Sequence, residues 1–93
     1  MPHNAQELDA ARLQIHSVEQ RSVDTAVCVV RCVGGIARVG QEFAGPMILD
    51  RIVRYNKEVC FLDPPHSAKV MLSGAAVRVL EEGVVITAAR TGD

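Results

Sequence analysis

From residue 12 onward, short apolar runs alternate with polar, glycine-rich or proline-rich breaks. "RLQIHSVEQ" sets Leu13 and Ile15 on one side and Gln14 and His16 on the other, the period of a half-buried strand. After the polar "EQRS", the run "VDTAVCVVRCV" from Val23 to Val33 is valine-rich with apolar residues on both faces, which suits a long central strand. Gly34 and Gly35 then supply the positive φ that a tight turn demands. In "GGIARVGQEF", Ile36 and Val39 are expected to pack inward, Gly40 to permit a second bend, and Phe43 to return to the core. "AGP" at 44–46 is a further break. "MILDRIVRY", a polar "NKE" reversal and "VCFL" read as a hairpin with a loop of about three residues. "DPPHS" cannot be a strand interior, because two prolines remove two backbone donors, so it reads as a rigid loop. "AKVMLSG" is another strand, "AAVRVLEEG" fits a strand or a short helical turn, and "VVITAA" closes the run.

Short strands separated by such breaks predict an all-β fold, and for a chain of 93 residues a small closed antiparallel β-barrel, since closure removes exposed edges. The expected layout is a flexible N-terminal segment over 1–11, in which "AQELDAAR" has some helical character, one barrel domain over 12–89, and a polar tail over 90–93. An apolar share of 48% with 23% charged residues is that of a chain with a packed core.

The formal net charge of -1 is spread along the chain, so no broad basic stripe for nucleic acid is present. The opening residues lack a basic start followed by an apolar run, and nothing approaches the roughly 20 apolar residues of a membrane helix. A soluble cytoplasmic protein without membrane contact is the expectation. Cys28, Cys32 and Cys60 sit among apolar neighbours and read as reduced core thiols; their spacing is a poor match to zinc patterns, and no metal or cofactor is expected.

The order "VVRCVGGIARVGQEF", "ILDRIVRYNKEVCFL", "KVMLSG", "VLEEGVVITA" resembles the second domain of translational GTPases such as elongation factor Tu. The matching positions are Gly35, Ile36, Gly40 and Phe43, then Leu72 and Gly74, then Gly83, Val85 and Ile86, and the likeness covers nearly all of the chain after residue 12. The resemblance implies a small antiparallel β-barrel that works by contact with protein or RNA. The phosphate-binding loop G-x-x-x-x-G-K-[S/T] of the accompanying GTPase domain does not occur in this sequence, so no nucleotide hydrolysis is expected. The family's acidic residue that helps hold the aminoacylated end of transfer RNA falls on Val53, so that pocket chemistry does not carry over. "DPPHS" replaces the family's glycine-containing turn.

Among candidate functional residues, His66 in the proline loop is the most tempting catalytic side chain, but only Asp63 and Ser67 lie near it in sequence, in no known nucleophile arrangement. Cys28 and Cys60 lack a helix start or a cation that would activate a thiol. Glu81 and Glu82 are adjacent, which on a strand points them to opposite sides, so a turn before the last strand explains them. Arg51, Arg54, Tyr55 and Lys57 form a basic cluster with an aromatic ring at the hairpin, offset by Asp50 and Glu58. Together with His66, these are the expected partner contacts. The expected function is a non-catalytic binding or adaptor module for an RNA or protein, of the translation machinery if the resemblance extends that far. Self-assembly into a homo-oligomer through an apolar patch is the alternative, and a small enzyme using His66 and a cysteine is a third class.

Overall fold

The computed structural model describes residues 10–89; the tail expected over 90–93, and all but the last residues of the segment expected over 1–11, lie outside the described residues, as does most of "AQELDAAR". The strands are β1 (Arg12–Arg21), β2 (Thr25–Gly34), β3 (Ala37–Arg38), β4 (Glu42–Phe43), β5 (Met47–Arg54), β6 (Lys57–Val59), β7 (Phe61–Leu62), β8 (Ser67–Ser73) and β9 (Val85–Thr87), with a 3-10 turn at Ala75–Val79 before β9. The main sheet is antiparallel throughout in the order β4-β5-β8-β2-β1-β9, while β6 pairs with the C-terminal half of β5 and β3 pairs with β7. A bridge between Phe43 and Ala88 joins the two ends of the main sheet. The result is the expected all-β architecture, a nearly closed antiparallel barrel. Among the described residues, no helix is long and apolar enough to cross a membrane.

Alternation along each strand fills the interior. Leu13 and Ile15 of β1, Ala26, Cys28, Val30 and Cys32 of β2, Leu49 and Ile52 of β5, and Val70 and Leu72 of β8 are all buried, joined by Phe43, Leu62 and Val77. Each large apolar side chain buried in this way stabilises the fold by roughly 1.5–3 kcal/mol. A bulge between Leu49 and Arg51 restores the inward phase of β5 after Asp50, which keeps both Leu49 and Ile52 in the core.

Three local expectations need correction. Ile36 and Val39 point outward, 44% and 43% exposed, and the buried residue between them is Ala37. Ala37 pairs with Leu62, and the period of two then directs Ile36 away from the core, while Val39 lies past the end of β3 in the turn at Gly40. The glycine bends themselves are present, with positive φ at Gly35 and Gly40. At the hairpin the reversal is a two-residue turn at Tyr55–Asn56, with φ of 52° and 64°, so Lys57 and Glu58 belong to β6 rather than to the loop. Two consecutive positive-φ residues give the turn whose twist matches that of the flanking strands. Cys60 is exposed rather than part of the core, because it lies in the break between β6 and β7.

The segment after β8 is a 3-10 turn, the second of the two readings its sequence allowed. At its end the Val77 carbonyl accepts from the Leu80 N–H at 3.4 Å, and the Arg21 guanidinium adds donors to the carbonyl oxygens of Val77, Arg78 and Leu80 at 3.2, 2.9 and 2.8 Å. Gly74 sets the approach to this turn. Its φ is 131°, and an added Cβ would lie 2.5 Å from the backbone oxygen of Pro46.

Two outcomes follow for chemical denaturation. Arg21→Ala removes the carbonyl clamp and lowers stability by about 1–2 kcal/mol. Gly74→Ala combines a disfavoured φ with a backbone clash and costs on the order of 3 kcal/mol or more, whereas Gly40→Ala, whose Cβ meets nothing within 4 Å, costs about 1 kcal/mol. Equal losses at the two glycines would contradict the packing described around Gly74.

Candidate functional site

Burying one face of β2 commits its other face to the outside. Val27, Val29, Arg31 and Val33 therefore form the outer side of the central strand, half-buried or exposed. Strand register extends this face sideways. Gln14, Arg31 and Ser67 stand side by side across β1, β2 and β8, and the neighbouring line runs from Ser17 through Val29, Lys69 and Val53 to Glu58. The two lines are two residues apart along β2, about 6.6 Å.

Two depressions lie over this face. One, of about 650 Å³, is lined among others by Gln14, His16, Arg31, Pro65 and Glu82. The other, of about 420 Å³, is lined by Val53, Arg54, Tyr55, His66, Ala68 and Lys69. Val29 and Ser67 line both, so the two form one groove. The 63–66 loop contributes Pro65 to the larger depression and His66 to the smaller, and is fastened to β2 at two points. Arg31 Nε donates to the Pro65 carbonyl at 3.2 Å, and the Cys32 N–H donates to the His66 carbonyl at 2.9 Å.

Of the expected contact residues, Arg54, Tyr55 and His66 line the smaller depression together. Tyr55 is 87% exposed on its turn, and the Arg54 guanidinium carbon lies 5.4 Å from the centre of its ring. That is within the range of a cation–π contact. Arg54 Nε is shielded from solvent and finds no hydrogen-bond acceptor among the described residues. His66 Nδ1 lies 3.2 Å from the Asp63 carboxylate, which engages one ring nitrogen within the loop. Arg51 and Lys57 do not line the groove. Arg51 is instead paired with Glu58 at 3.0 Å, the offset expected from their charges.

Lys69, Arg31 and His16 also line the groove and were not singled out in the sequence, and Glu82, read there only as a turn residue, lines it as well. The alternation of "SAKVMLS" marks Lys69 as outward-facing, but its neighbours depend on which strands pair with β8. Lys69 also contacts Glu19 at 3.0 Å across the sheet. An exposed pair of this kind is worth little and leaves the ammonium available to a phosphate.

The cysteines divide by environment. Burial pushes the thiols of Cys28 and Cys32 above their ordinary range, opposed by the Arg21 charge at Cys28 and by backbone hydrogen bonding from Gly34 and Ala37 at Cys32. Cys60 lines a third, mostly apolar depression with Val39 and Phe61, so it does not meet His66 in the groove. Among the described residues, no group of three or more His, Cys, Asp and Glu side chains is placed to hold a metal ion. No known protein family matches the chain, and no curated protein resembles it closely enough to be recognised as a relative.

With a soluble thiol reagent, Cys60 of the native protein is expected to react within minutes while Cys28 and Cys32 stay protected until the chain unfolds. Simultaneous labelling of all three thiols in the folded protein would contradict the buried placement of Cys28 and Cys32.

Proposed function

We propose that the chain is a non-catalytic binding module that holds a single-stranded RNA segment in the groove across β1, β2, β8 and β5. One observation carries the reading: the exposed Tyr55 ring stands beside Arg54 in a depression that Lys69 and His66 also line. A nucleotide needs a flat apolar face for its base and a cation for its phosphate, and this constellation offers both within one turn and two strands. With a single tyrosine and no tryptophan in the chain, the platform stacks one base rather than a run of them. Attraction is local, because the overall charge of -1 steers no polyanion from a distance.

The barrel is compatible with the second-domain fold of translational GTPases, and the reading places the chain with that group, in the cytoplasm, in contact with RNA of the translation machinery. The path would differ from that group's pocket, since Val53 stands at the position of the acidic residue and the stacking ring sits two residues later. A second reading has its own support. Ile36, Val39 and Phe61 are 44%, 43% and 45% exposed, and an apolar surface of this kind suits self-assembly. Concentration-dependent sedimentation tests it.

Recovery of the tagged protein from its own cells, with and without ribonuclease, tests the RNA reading in its native setting. Partners lost on ribonuclease treatment support it, and a protein partner retained after treatment, or recovery of the chain alone, contradicts it. In solution, the logarithm of affinity for a short RNA should fall with the logarithm of salt concentration at a slope of about -2, corresponding to three phosphate contacts on a single strand. Arg54→Glu with Lys69→Glu should abolish binding. Unchanged affinity in that double variant would sink the assignment of the groove.

A further inference from the structure

The larger depression differs in chemistry from the smaller one. Its walls carry a carboxylate, Glu82, and a guanidinium, Arg31, both facing the same 650 Å³ space. Each is anchored by its own surroundings rather than by the other. The turn bearing Glu82 is pinned to β1 by the Gly83 N–H on the Ile15 carbonyl and by the Ile15 N–H on the Val84 carbonyl, both at 2.7 Å. Arg31 spends its Nε on the Pro65 carbonyl, at 3.2 Å, which leaves its two terminal nitrogens without a partner among the described residues. Glu82 and Arg31 form no ion pair, although opposite charges on one small cavity would close on each other if their anchors allowed it.

An acceptor-only group on one wall and a donor-only group on the other suit a flat ligand with donors along one edge and acceptors along another. Guanine is the base with that arrangement. Its N1–H and N2–H2 donate side by side to a single carboxylate, and its O6 and N7 accept side by side from a guanidinium. Uracil, cytosine and adenine each lack at least one of these paired edges. Gln14, next to Arg31 in the same line across the strands, offers a further amide at the floor.

We propose that this compartment is a guanine-reading subsite on the strand whose neighbouring nucleotide occupies the Arg54–Tyr55 compartment, with Glu82 setting the preference and Arg31 completing it. The inference rests on the RNA reading given above. The shared walls at Val29 and Ser67 make the two compartments consecutive positions on one path, so recognition of guanine and stacking on Tyr55 occur on the same molecule.

Fluorescence anisotropy with four labelled hexanucleotides, UUUUUU, UUGUUU, UUAUUU and UUCUUU, tests it on the full chain. The expected result is that UUGUUU binds on the order of tenfold more tightly than the other three, the discrimination that one well-made bidentate contact gives. Glu82→Gln should bring UUGUUU to the level of UUUUUU while leaving UUUUUU within about twofold of its own affinity. Arg54→Ala should weaken all four alike. Equal binding of the four RNAs, or a preference for adenine or cytosine, overturns the guanine subsite and leaves the groove standing. Failure of every RNA to bind the wild-type chain overturns the RNA reading and the subsite together. Since Glu82 is exposed, its replacement leaves the core untouched, and a thermal melt of Glu82→Gln that superimposes on wild type separates loss of recognition from loss of fold.

Discussion

The strict alternation of β2 is the constraint on which the rest depends. Ala26, Cys28, Val30 and Cys32 are essentially removed from solvent, and they meet side chains from β1 on one flank and β8 on the other. A slip of one residue in either pairing would move this whole set to the outside and expose the centre of the core. The same register that secures the interior therefore fixes which residues stand outside. Arg31 must lie beside Gln14 and Ser67, and Lys69 must lie between Val29 and Val53. Core and groove are two faces of one set of strand pairings.

Loops close the groove without covering it. The tight Tyr55–Asn56 turn carries an exposed aromatic ring just after β5, and the proline loop, anchored to β2 through Arg31 and Cys32, contributes to both depressions. Charge is distributed in the same economical way. Arg51 and Lys69 have carboxylate partners at 3.0 Å, whereas no ion pair among the described residues engages Arg54, Arg31 or Glu82. These three groups line the groove, and a ligand that neutralises them gains more than one that displaces an existing surface pair.

The strands were legible because their apolar residues recur with a period of two, clearest in "RLQIHSVEQ" and "AKVMLSG". The breaks at Gly35, Gly40 and the prolines were legible because few other residues can serve there. What the linear pattern hid was pairing. Whether Ile36 or Ala37 faces inward depends on Ala37 meeting Leu62, which lies far along the chain. Cys60 has apolar neighbours on both sides yet sits at a break between strands, so local composition misplaced it. The candidate site shows the same limit. Arg54 and Tyr55 are adjacent and could be singled out together, but Lys69 joins them only through the pairing of β8 with β5, and Glu82 meets Arg31 only because its turn folds back on β1.

The groove gives this small barrel a surface with cationic, aromatic and base-complementary elements in sequence along one path, which is what a single strand of RNA requires of a protein that does no chemistry on it. The most direct measurement of that claim is a titration of the 15N-labelled protein with a short uridine-rich RNA carrying one guanosine, followed through its amide resonances. The account predicts shifts confined to the outer face and its rims, at Gln14, Val29, Arg31, Tyr55, His66, Lys69 and Glu82. Shifts centred on Ile36, Val39 and Phe61, or no shifts at all, would contradict it.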